Sequence, residues 1–456
     1  MKPCVFMLAM LIPFYLSSCG SGSGPNLTST PPTCTVSQSC SNQWTWVGGA
    51  DVVGQAGTYG TLGTAASANI PGAREGSAIW KDSAGTFWLF GGYGVDAVGN
   101  RGGLNDLWKY NSGEWTWVGG SSLADQPGVY GTLGIAAPSN IPSGRSYAVS
   151  WIDGTGNFWL FGGGVYLNDL WKYSNGEWTW MSGSSASGQP GIYGTLRMPS
   201  PGNIPGGRSD AVGWADAAGN LWLFGGVGED STAYIAGALN DLWRYGAGQW
   251  TWMGGSNLAN QPGSYGTMGI AAIDNVPPAR ADSAAWTDAA GSFWLFGGSG
   301  FNDLWMYNSG EWTWVGGSDL LDQSGTYGTL GVAAPGNIPG FRSSAATWID
   351  ASGNFWLFGG SDSVPYTAGD LNDLWKYGAG DWTWAGGADT TNQAGTYGTK
   401  GTAASHNTPG GRFGASAWTD TSGNLWLFGG DGLDSTGTNG PQGTGGELND
   451  LWKYQP

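Results

Sequence analysis

The chain is 456 residues long, with 86 Gly, 30 Trp and a charged fraction of only 11%. Gly at this level disfavours helices, and this load of Trp is foreign to disordered chains, so the composition points to a folded all-β protein of short strands and tight turns. A formal net charge of −17 argues against nucleic acid or anionic lipid headgroups as partners.

Taken in chain order, residues 1–18 read as an export signal. Lys2 precedes an apolar run from Val5 to Leu16 that is too short for a permanent membrane span. The run ends in Leu16-Ser17-Ser18-Cys19, which resembles a bacterial lipobox. That resemblance implies cleavage before Cys19, lipidation of its thiol and anchoring to the cell envelope. Gly20 after it implies the outer membrane, if the source is Gram-negative. Residues 19–43 then form a flexible Gly/Ser/Thr/Pro tether containing Cys34 and Cys40. In an exported context these two cysteines are expected to pair as a staple.

From residue 44 onward the chain repeats. Trp-Thr-Trp occurs six times, starting at Trp44, Trp115, Trp178, Trp250, Trp312 and Trp382. Trp-Leu-Phe-Gly-Gly also occurs six times, as does Asn-Asp-Leu-Trp. Six arginines mark the repeats: Arg74, Arg145, Arg208, Arg280, Arg342 and Arg412 open repeats 1 to 6. Each repeat offers four strand candidates, joined by short hairpins such as Asn111-Ser112-Gly113.

A Gly-Gly doublet ending the second strand, followed by Tyr and Trp at fixed spacing, resembles the Kelch repeat. The resemblance implies a six-bladed β-propeller of Kelch type over residues 44–456, with four antiparallel strands per blade. The chain opens on an unpartnered Trp-Thr-Trp strand and ends without one. The N-terminal strand is therefore expected to complete the last blade and remove two sheet edges.

Spacing localises the variable parts. Trp-Thr-Trp to Arg is 30 residues in every repeat, and Arg to the Trp of the second strand is 14. Only the loop from the second to the third strand varies, at 93–104, 164–167, 227–239, 299–301, 361–371 and 431–448. These loops share one face with the long segments that join successive repeats, which are expected to form a structural crown over the blades. The variable loops make Tyr93, Tyr166, Tyr234, Phe301, Tyr366 and Glu229 ligand-binding candidates. The six arginines could line a cationic ring at the channel mouth. Pairing with the Asp of each Asn-Asp-Leu-Trp block is their simpler use. The tryptophans read as packing between blades.

Galactose oxidase also has a Kelch propeller, but its copper site needs His and Tyr ligands and a Tyr–Cys crosslink. Here the one His is His406 and no Cys lies within the repeats, so that chemistry is excluded. No metal, cofactor or catalytic nucleophile is expected. The remaining enzymatic resemblance is to sialic-acid mutarotases, whose chemistry carboxylates and Arg can perform. Glu75, Asp210, Asp282 and Glu229 break the repeat and are the residues to inspect for it. The first expectation is a monomeric, non-enzymatic surface or periplasmic module that binds protein or glycan through its loop face. The alternatives are a mutarotase-type carbohydrate enzyme and a purely structural envelope protein. An asymmetric cluster of acidic and aromatic residues at the channel mouth would favour the enzyme.

Overall fold

The computed structural model describes residues 41–232, 236–362, 369–439 and 446–456. Cys19, Cys34, Cys40, Tyr234 and Tyr366 lie outside the described residues, and so do the expected signal segment and staple. Every regular element among the described residues is a β-strand. The strands form antiparallel sheets, mostly four-stranded, an architecture consistent with a β-propeller.

Repeat 1 shows the pattern. Ala78–Lys81 pairs with Phe87–Val95, which pairs with Arg101–Asn111, which pairs with Glu114–Gly119. The innermost strand alternates in burial, while the second and third are buried over consecutive residues because they are covered on both faces, and Trp108 on the third is wholly buried. Two local devices fix the hairpins. Asp82 Oδ1 accepts the N–H groups of Ala84 and Thr86, while Oδ2 accepts the Trp88 indole at 2.9 Å. The outer hairpin turns on Ser112 and Gly113, both at positive φ, as a two-residue turn with the twist of its strands requires.

The first strand, Gln43–Gly48, pairs with the last, Leu451–Gln455, in the register Trp44↔Tyr454 and Trp46↔Trp452. Trp44 packs edge-on against Phe358 and Trp452. The first and last strands among the described residues therefore share one sheet.

The long segments between repeats do not lie over the blades alone, where Gly57 N–H meets Asp96 O. Each lies along the free edge of an outermost strand: Gly63 N–H donates to Trp117 O at 2.8 Å, and Asn69 Nδ2 donates to Trp115 O at 3.1 Å. An unpaired strand edge is a site for unwanted association, and this segment covers it.

The innermost strands touch in sequence. Ala78–Lys81 meets Val149–Ile152, then follow Val212–Ala215, Ala284–Thr287, Ala346–Ile349 and Ser416–Thr419, which returns to Ala78–Lys81. The Trp80, Trp151, Trp286 and Trp348 indoles donate to backbone carbonyls of the neighbouring repeat.

Candidate functional site

Each arginine is consumed by a buried polar node. Arg74 Nη1 and Nη2 donate to Asp106 Oδ1 and Oδ2, both at 2.7 Å, and Nη1 also reaches Gly91 O. Asp106 Oδ2 further accepts the Tyr59 hydroxyl at 2.6 Å and the Trp108 indole at 2.7 Å. The same Arg–Asp pair recurs at Arg145–Asp169, Arg208–Asp241, Arg280–Asp303, Arg342–Asp373 and Arg412–Asp450. These side chains are essentially inaccessible, so the six arginines present no cationic ring to a ligand. The Tyr comes from the segment between repeats, a role that its spacing did not disclose.

Two residues beyond each arginine the backbone turns inward at positive φ. The residues are Gly76, Tyr147, Asp210, Asp282, Ser344 and Gly414. This turn splits the expected first strand into a short bridge at the arginine and a separate inner strand. Each N–H of the six donates to the carbonyl of its neighbour, from Gly76 to Gly414, Ser344, Asp282, Asp210, Tyr147 and back to Gly76, at 2.7–3.1 Å. Six peptides thus form one continuous hydrogen-bonded ring. A cavity of about 180 Å³ opens at it, lined by Tyr147, Asp210, Asp282, Ser344, Ser77 and Ser283.

The ring is six-fold in its backbone and irregular in its side chains. Tyr147 lies across Gly76, where a Cβ would meet its ring at 2.8 Å, and its hydroxyl comes within 2.7 Å of a Cβ placed on Gly414. That hydroxyl donates to Glu75 Oε2 at 2.5 Å. Ser209 donates to Asp210 Oδ2, and Ser344 donates to Asp282 Oδ1, each at 2.5 Å. Burial and the Asp282 charge push the Asp210 carboxyl up to about 8, and burial also raises Asp282.

Further carboxyls gather beside Glu75 from repeats 5 and 6. Asp431 stands opposite Phe413, and Glu447 opposite Asp431. Asp370 bridges to Ser361 in the repeat before. Burial pushes Glu75 up to about 8, against the Tyr147 hydrogen bond and with added repulsion from Asp431, Glu447 and Asp282. Burial and the charges of Asp431 and Asp362 bring Asp370 to about 7. Burial brings Asp431 to about 6, opposed by the Gly446 N–H and Arg101 and reinforced by Glu447. Arg101 Nε meets Glu447 Oε2 at 3.0 Å. One sector beside the ring, joined to it through Tyr147, therefore holds carboxyls whose acidities spread across neutral pH.

Of the sequence candidates, Tyr93 belongs here. It is 41% exposed and stands opposite Glu75, although on the strand Phe87–Val95 rather than in a loop. Phe301 is not a loop residue: it is buried in the strand Phe301–Asn308, with the Arg280 guanidinium 4.4 Å from its ring centre. The four-residue step in repeat 4 leaves no loop to project it. Tyr166 is half-buried in the tight turn of repeat 2 at positive φ. Glu229 is half-buried in repeat 3, with its N–H donating to Gly207 O. Neither is among the groups that perturb the acidic sector. Asp370, Asp431, Glu447, Arg101 and Tyr147 were not singled out. The available signal was the residue after each Gly-Gly doublet and the two after each arginine, where the repeat loses its Ser, Ala and Gly pattern.

Three clefts of about 460, 570 and 500 Å³ lie between neighbouring repeats. They are lined at equivalent positions, with Tyr110, Tyr377 and Tyr454 corresponding, as valleys between packed sheets would be.

No protein-family model matches the chain, and no curated protein sequence matches it. Among solved structures it is similar to one titled "Structure of YjhT", at 15% identity and a TM-score of 0.48, covering 84% of this chain and 95% of that one. It is also similar to a copper complex of a fungal alcohol oxidase of the AA5 family, at 11% identity and a TM-score of 0.46, covering 88% of this chain and 77% of that one.

Proposed function

We propose that the chain is a six-bladed Kelch-type propeller whose mouth carries an acid/base site acting on carbohydrate. The cyclic contact of the inner strands and the six-peptide ring support the blade number. The acidic sector at Glu75, Asp370, Asp431 and Glu447 supports the site. It is asymmetric, whereas the arginine nodes repeat six-fold and the inter-repeat clefts recur at three equivalent positions, and paired acid and base roles call for asymmetry.

The observation that carries the reading is the gathering of Glu75, Asp431 and Glu447 in one sector, with Tyr147 on Glu75 and Arg101 on Glu447, and the two acidities it separates follow from that geometry. At neutral pH Glu75, at about 8, holds its proton, while Asp431, at about 6, is mostly ionised. Paired groups with separated acidities are suited to donate and accept protons in one step. The Tyr147 hydroxyl occupies Glu75 Oε2, which leaves Oε1 to carry the transferable proton. The reaction class is interconversion of sugar anomers. Asp431 removes the proton of the anomeric hydroxyl, Glu75 protonates the ring oxygen, and the bond between that oxygen and the anomeric carbon breaks. Rotation and reclosure return both protons, with no net redox change and no cofactor. Tyr93 and Phe413 flank the sector as surfaces for the sugar ring.

The gathered carboxyls would repel a carboxylated sugar and the six repeat arginines are internally paired, so the reading is of a neutral sugar as substrate. Localisation at the cell envelope through a lipid on Cys19 remains part of the proposal. The test is anomer exchange of neutral hexoses followed by NMR, with calorimetry for binding. Glu75→Gln and Asp431→Asn are expected to lower the rate by about 10²-fold or more. Sugar binding without any acceleration would instead support a binding module, the reading that the variable loops favour.

A further inference from the structure

Arg101 opens the strand Arg101–Asn111, opposite Val95. Two residues later the strand is pinned from outside: the Asp125 carboxylate accepts the Gly103 N–H at 2.8 Å, and the Gly103 carbonyl accepts the Asp125 N–H. The guanidinium is thereby aimed across the seam between repeats 1 and 6. It meets Glu447, whose side chain is 2% exposed against 28% for Arg101. Glu447 is also held through its backbone, since its carbonyl accepts the Gly54 N–H at 2.8 Å. Gly54 sits at φ +72°, and a Cβ there would come within 3.3 Å of Arg101 Nη2. A side chain at that position would crowd the guanidinium.

A partly buried ion pair across a seam has a plain structural use as a staple. The position of Asp431 adds something else. It stands opposite Glu447 in an antiparallel bridge, and its Oδ2 accepts the Gly446 N–H at 3.0 Å. The ionisable groups around Asp431 are Glu447 from its own repeat, Arg101 and Glu75 from repeat 1, and Asp370 from repeat 5. Arg101 pairs with Glu447, the charge that opposes ionisation of Asp431, and its own charge favours that ionisation.

We propose that Arg101 is a positioning residue of the acid/base site, holding Glu447 and acting together with it on the Asp431 carboxylate. The proposal rests on the site reading above but is testable apart from it. The experiment follows the Asp431 carboxyl resonance by ¹³C NMR across pH 4–9 in the full chain, with melting recorded in parallel. Arg101→Gln is expected to raise the Asp431 midpoint by about one pH unit, and Arg101→Lys to restore most of it. Glu447→Gln is expected to lower the midpoint, and the Arg101→Gln/Glu447→Gln pair to return it near the wild-type value. An Asp431 midpoint unchanged in Arg101→Gln, with only a lower melting temperature, would reduce Arg101 to a staple and overturn the proposal. If these shifts occur while wild-type protein exchanges no anomers, the carbohydrate reading fails and the control of Asp431 by Arg101 stands. If anomer exchange does occur, its acid limb is expected to move up in pH with the Asp431 midpoint in Arg101→Gln.

Discussion

The Tyr147 hydroxyl reaches over the six-peptide ring to donate a 2.5 Å hydrogen bond to Glu75 Oε2. This bond stabilises the carboxylate and so works against the burial that raises Glu75. Tyr147→Phe removes the donor and keeps the ring. Glu75 is then expected to hold its proton to higher pH. The alkaline limb of anomer exchange, or the Glu75 resonance in a ¹³C titration, should move up by about one unit.

The buried nodes predict a different kind of loss. Asp106 takes two bonds from Arg74, one from Tyr59 and one from Trp108. Asp106→Asn leaves a guanidinium buried without its counter-charge and is expected to cost about 3–5 kcal/mol in urea unfolding. Tyr59→Phe leaves Asp106 short of one donor and is expected to cost about 1–3 kcal/mol. Neither residue touches the acidic sector, so any activity that survives unfolding assays should keep its pH profile.

Asp210 makes stability depend on pH. Its folded acidity, about 8, lies above the ordinary carboxylate value, because of burial and then the Asp282 charge. The folded chain therefore holds a proton that the unfolded chain has released, and stability falls as pH rises from about 4 to 8. Asp210→Asn removes this loss. Its melting temperature is expected to exceed that of wild type at pH 8 and to match it more closely at pH 4.

Trp44 carries the seam between the chain ends. It packs on Phe358, Trp452 and Tyr454, which come from repeats 5 and 6. Trp44→Ala is expected to cost about 3–5 kcal/mol. Exposure of the strand Leu451–Gln455 should also appear as faster amide exchange there than at the outer strand of repeat 3.

A smaller effect is expected at the outer turns. Ala247 occupies a left-handed position, φ 51°, where repeat 1 uses Ser112 and repeat 2 uses Asn175. Ala247→Gly relieves the Cβ contact and is expected to stabilise by up to about 1 kcal/mol in the same unfolding assay.

Strand content, hairpin positions and the chain-end pairing were open to sequence reading because each depends on local order. Period-two burial, a Gly or Asn at a turn, and one Trp-Thr-Trp too many at the start are all written in short stretches. The Arg–Asp pairing was legible as the simpler use of the arginines because both residues recur once per repeat. Tyr59 was not, since its partner Asp106 stands 47 positions away and only packing brings them together. Phe301 misled for the converse reason: its spacing resembled a loop, but the step was too short for one.

By itself the sequence determined an all-β chain of repeated antiparallel units and the one loop class free to vary. These follow from side-chain periodicity and backbone preference, which act over a few residues. Only the tertiary structure decided that the arginines are buried in nodes and that Glu75, Asp431 and Glu447 share one sector, though Glu75 and Asp431 stand at opposite ends of the chain. A carboxyl's acidity is set by the water it loses and the charges brought near it, and no local pattern records either.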